Sequence, residues 1–100
     1  MQSHYAEAFD REMGCTEAEW LGWLPAAIGA NEWQQVGDAV QVRIGAGGAL
    51  AIDWQTGAPR VIALARIPRL LVRFRFKGLA DAQRLAFMKR FDLYMQRGGG

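Results

Sequence analysis

One hundred residues, 51% of them hydrophobic and 22% charged, describe one folded domain and exclude both a disordered chain and a two-domain one. A single cysteine rules out an intramolecular disulfide, and no stretch approaches the roughly 20 continuous apolar residues of a membrane-spanning helix. The net charge of +2 conceals a split, because residues 1–38 carry seven acids against one base and residues 39–100 carry eleven bases against three acids.

Met1 to Asp10 (MQSHYAEAFD) has neither the basic start nor the apolar run of a secretory signal. The expectation is a soluble protein of a reducing cytoplasm with no membrane partner. Tyr5, Phe9 and Met13 recur at intervals of four and predict a short helix that Gly14 ends. Thr16-Glu-Ala-Glu19 has the spacing of a capping box. Behind it Trp20, Trp23, Leu24, Ala27 and Ile28 form one apolar helical face. Pro25 interrupts that face and predicts a kink or a restarted turn, and Gly29 to Asn31 closes the helical part.

The period then changes to two. Val40, Val42 and Ile44, a glycine-rich turn over residues 45–48, and Leu50, Ile52 and Trp54 predict a hairpin. Val61 to Ala65 is apolar throughout and predicts a third strand, buried on both faces or covered at its centre. In the fourth, Leu70, Val72, Phe74 and Phe76 point one way, while Leu71, Arg73, Arg75 and Lys77 point the other. Asp81 is placed to cap a last helix with Leu85, Met88, Phe91 and Met95 on its apolar stripe, supplemented by Ala82, Ala86 and Leu93. The predicted fold is α+β: a two-layer domain over residues 1–97, with a four-stranded antiparallel meander, N-terminal helical segments and a C-terminal helix packed on one face. Residues 98–100 are expected to form a flexible glycine tail.

Few chemistries fit these residues. Cys15 precedes a helix start, where amide dipoles lower a thiol pKa, but His4 is the one histidine and nothing in the sequence brings it close. One Cys and one His do not make a structural zinc site, and the glycines at 45, 47 and 48 lack the Lys-Ser/Thr of a phosphate loop. No catalytic residue, cofactor or metal is assigned, and the expectation is a non-enzymatic protein. A terminal Gly-Gly suits a carrier protein that is adenylated at its carboxylate, but a helix leads into this one, which fits a frayed end better.

The charge pattern is more informative. Arg43, Arg73, Arg75 and Lys77 share one face of the predicted sheet. Four tryptophans offer anchors, and tryptophan is enriched among interface hot spots. The candidate binding residues are therefore Arg43, Arg73, Arg75, Lys77, Trp20 and Trp33, holding a protein partner or a second copy of the chain. The alternative is a nucleic acid on the same cations, although the phenylalanines of the fourth strand have the wrong parity to stack bases.

The run Phe87 to Gly100 (FMKRFDLYMQRGGG), with Ile67-Pro-Arg-Leu70 ahead of the Val-x-Phe-x-Phe strand, resembles a family of small uncharacterised proteobacterial proteins over about residues 20–100. That family has no assigned activity. The resemblance implies a small cytoplasmic bacterial protein and carries over no site residue.

Overall fold

A computed structural model describes residues 4–97 of the chain. The expected glycine tail lies outside the described residues. Seven strands and two helices follow in order: β1 (Ala8–Met13), α1 (Glu17–Ile28), β2 (Trp33–Val36), β3 (Ala39–Ile44), β4 (Gly48–Thr56), β5 (Arg60–Ile62), β6 (Ala65–Ile67), β7 (Leu70–Lys77) and α2 (Asp81–Arg97). Five strands form one antiparallel sheet in the order β1-β7-β4-β3-β2, and β5 and β6 pair separately. The α+β class stands. The four-stranded meander is corrected in its membership, because β1 and β2 join the sheet while the Val61–Ala65 segment leaves it.

The first correction concerns Tyr5 to Met13. A spacing of four is also an even spacing, so it fits one side of a strand as well as one side of a helix. Cross-strand partners decide in favour of the strand. Phe9 stacks on Phe74 at 4.8 Å between ring centroids, and the Arg11 guanidinium lies 5.2 Å from the centre of the Phe74 ring. On the opposite side Asp10 faces Arg73 across the ladder and pairs with Arg75. A helix here would have separated these acids from the arginines of β7.

The second correction is the apolar run at Val61 to Ala65. It forms a tight hairpin whose side chains are exposed, not a strand buried on both faces or covered at its centre. Pro59 and Pro68 bracket it, and neither can donate to a ladder. The β4–β7 ladder therefore ends near Thr56 and Leu70, with a last bond from the Gly57 amide to the Arg69 carbonyl. Beyond it the chain leaves as an arm. Ala63 takes φ 53° at the tip, a left-handed conformation that costs a non-glycine residue about 1 kcal/mol.

The capping box on α1 forms as expected: the Thr16 hydroxyl accepts from the Glu19 amide, and the Glu19 carboxylate accepts from the Thr16 amide. One helix runs through Pro25 without restarting. Asp81 is the first residue of α2 and takes Arg84 and His4 on its carboxylate. The side chain that accepts from the helix entrance is instead Gln83, bonded to the Ala80 amide.

Both helices turn their apolar faces to the same side of the sheet. Trp20, Leu24, Ala27 and Ile28 of α1 and Phe87, Met88, Phe91 and Met95 of α2 share one core with Val40, Val42, Leu50, Ile52, Trp54, Leu70, Val72, Phe74 and Phe76. Ala82, Ala86 and Leu93 remain exposed. Ring contacts join the helices to the strands: Trp20 meets Trp54 edge-on at 5.6 Å and Phe91 at 6.0 Å, and Phe74 meets Phe91 at 5.5 Å. Burial of these rings supplies the main drive to fold. A polar knot closes the open side of the core. Asp92 on α2 accepts from the Tyr5 hydroxyl and from Arg11 on β1. Arg84, itself nearly buried, donates to the backbone carbonyls of Tyr5 and Leu79.

Candidate functional site

Alternation along the five strands assigns every second side chain to the face that the helices leave bare. Four rows cross the sheet there. The first runs Ala8, Arg75, Ala51, Gln41, Gln34; the second Asp10, Arg73, Asp53, Ala39, Val36; the third Lys77, Ala49, Arg43; the fourth Glu12, Leu71, Gln55. Ala39, Ala49 and Ala51 make a low floor, and longer polar side chains stand around it. A shallow depression of about 530 Å³ opens beside them, lined in part by Asp10, Glu12, Asp53, Gln55, Leu71 and Arg73.

All four predicted cations, Arg43, Arg73, Arg75 and Lys77, are exposed on this face. The face is nevertheless not uniformly basic. Arg73 Nε lies 2.8 Å from Asp53, and Arg75 Nη1 3.2 Å from Asp10. Hydrogen bonding to Asp53, then the charge of that carboxylate, pushes the Arg73 guanidinium further above its ordinary pKa and keeps it charged. Arg75 also donates to the Phe9 and Phe74 carbonyls, so it is held along the β1–β7 seam. Arg43 and Lys77 are freer. Arg43 reaches only to 3.9 Å from Glu32, both side chains being largely exposed, and Lys77 has no ion pair among the described residues. The acidic N-terminal part thus meets the basic part inside the molecule, through β1.

Neither candidate tryptophan belongs to this face. Trp20 is 0% exposed, and its ring N–H finds no acceptor among the described residues. Its place in the core is what the helical periodicity of α1 demands, and it is withdrawn as a contact for any partner. Trp33 stands opposite Val42 on the helix-covered side and is half-buried against the core. Trp54 is also inside, donating 2.9 Å to Glu17 at the start of α1.

Cys15 is buried, and burial first, then the nearby Glu19 charge, pushes its thiol above its ordinary pKa. At neutral pH it holds less thiolate than a free thiol, the opposite of an activated nucleophile. In the native protein Cys15 is therefore expected to resist alkylation by iodoacetamide and to react fully once urea unfolds the chain. Rapid labelling without denaturant would contradict that environment. No group of three or more His, Cys, Asp or Glu side chains gathers at metal-binding distance among the described residues.

The β5–β6 arm is the surface that the sequence reading missed. Leu64 is fully exposed, and Val61 and Ile62 are 60% and 55% exposed. Arg60 ties the root of the arm to Glu12 of β1 at 2.9 Å, and Arg69 approaches the other oxygen of Glu12 at 3.7 Å. Hydrophobicity alone pointed inward; the two bracketing prolines were the signal that this segment stands outside the ladder.

No family model, characterised protein or solved structure matches the chain. Among the described residues no helix is long and apolar enough to cross a membrane.

Proposed function

We propose that the protein is a non-enzymatic binding or assembly module that holds a polypeptide partner on the bare face of its two-layer domain. The observation that carries this reading is the asymmetry of the sheet: two helices occupy one side, and a small-residue floor ringed by Arg43, Arg73, Arg75 and Lys77 is left open on the other. Alanines let a partner backbone approach closely, and the standing cations orient acidic side chains on it. Arg43 and Lys77, which flank Ala49 in one row, have the least internal compensation and contribute most to that orientation.

Asp10 and Asp53 interleave with the arginines, which favours a polypeptide of mixed charge over a phosphate backbone. Phosphate-dominated binding needs several uncompensated cations and weakens steeply with salt. The test is retention from lysate on immobilised protein, with and without nuclease, beside an Arg43→Glu/Lys77→Glu variant. The expected result is a polypeptide that survives nuclease and moderate salt and is lost from the variant. Disappearance of all bound material on nuclease treatment, or equal retention by the variant, would overturn the reading.

A further inference from the structure

We propose that the β5–β6 arm and the free edge of β2 form a reciprocal docking surface for a second copy of this chain. The inference deepens the assembly half of the function proposed above and rests on it. Its separate ground is a pair of open strand edges, those of the arm and of β2.

The arm is a two-stranded ladder of three residue pairs. Such a ribbon is marginal in water by itself and leaves both outer edges unpaired. It points the apolar side chains of Val61, Ile62 and Leu64 at solvent. At the far edge of the main sheet β2 is a second open edge. Its four residues, Trp33-Gln-Gln-Val36, contain no Pro, Lys or Arg, the devices that normally guard an edge. Val36 is 70% exposed on it.

The arm is rooted against Glu12 of β1, at the opposite edge of the sheet from β2, and of β2 only the Val36 end turns towards the rows that lead into the arm. Val36 stands abreast of Ala39, and Ala39 abreast of Asp53, three residues before β4 ends and the arm begins. A two-fold arrangement sets the arm of each copy alongside β2 of the other. Every contact is then made twice, which is how so short an arm contributes to the roughly 1,200 Å² that a stable pair requires.

Charge selects this pairing over arm against arm. From residue 54 to residue 80 the chain holds no acid, so two arms side by side would oppose Arg60 and Arg66 to their own copies. The β2 strand has no charge of its own and is flanked by Glu32 and Asp38, which meet those arginines with opposite sign. Main-chain bonds between the edges supply adhesion, and the apolar tip against Val36 supplies a dry centre.

Light scattering after size exclusion, over a wide dilution series, tests the proposal. The expected mass is twice the 11.1 kDa chain at high concentration, falling towards one chain on dilution. Ile62→Asp with Leu64→Asp, and independently Val36→Lys, should each weaken association by at least about tenfold. Circular dichroism, and the urea midpoint at dilutions where the unmutated chain is single, should stay unchanged, because all three side chains are exposed. A single-chain mass at every concentration, or a dimer indifferent to both variants, would overturn the proposal. The arm variant also separates the two readings. If the open-face reading holds, this monomer still retains its partner through Arg43 and Lys77; if that reading fails, retention is absent whatever the mass.

Discussion

Replacing Phe74 with alanine is expected to cost about 3–5 kcal/mol of stability, as do other fully buried aromatic truncations. The ring is 0% exposed, stacks on Phe9, meets Phe91 edge-on and carries the Arg11 guanidinium on its face. Its removal leaves a cavity between sheet and helix and strips an apolar support from Arg11. Alanine at Arg73 or Arg75, one residue to either side along β7, should leave the urea midpoint almost where it was. Both guanidinium groups sit on the solvent face, where ion pairs are screened. Three adjacent residues with this contrast report the division of the sheet into a dry and a wet side. Equal effects at all three would contradict it.

The second large effect is expected at Asp92. Its carboxylate accepts from Tyr5 and Arg11, both drawn from the N-terminal part, and so joins α2 to β1. Asp92→Ala leaves a partly buried guanidinium and a buried hydroxyl without their acceptor, a loss of about 2 kcal/mol. Asp92→Asn, which keeps an oxygen for one donor, should lose less. The same contact gives stability a dependence on alkaline pH. Burial, then the hydrogen bond to Asp92 and its charge, raises the Tyr5 pKa above its ordinary 10.0. The folded chain keeps a proton that the unfolded chain releases, so this contribution is complete below pH 10 and drains away as pH rises through the folded-state value. Tyr5→Phe should flatten the alkaline limb of a stability–pH curve. An unchanged limb would place its origin elsewhere.

How far the fold was legible depended on whether local pattern and tertiary partner agreed. β7 could be read directly, because strict alternation of Phe and Arg leaves one solution for which side is buried. The α1 capping box was equally plain, since its bonds close within four residues. β1 was not legible, since an even spacing satisfies both a helix and a strand; the arginines that settle the matter lie more than sixty residues away. β2 escaped because its two apolar residues, Trp33 and Val36, are three apart and show no alternation of period two. The arm was misread for the opposite reason. Continuous apolarity ordinarily means burial, and here it marks a segment whose side chains are exposed. The four cations of the candidate site were found from parity alone, but their pairing with Asp10 and Asp53 required the register of β1 and β4 against β7.

Everything proposed above requires that one side of the sheet be covered by helices and the other open to solvent. Thiol labelling measures it directly, with the buried Cys15 as an internal reference. In an Arg75→Cys protein the account predicts one thiol that reacts as fast as a free cysteine while Cys15 stays protected. In a Val72→Cys protein with the circular dichroism spectrum of the parent chain, neither thiol should react without denaturant. Slow labelling at position 75, or rapid labelling at position 72, would contradict the account.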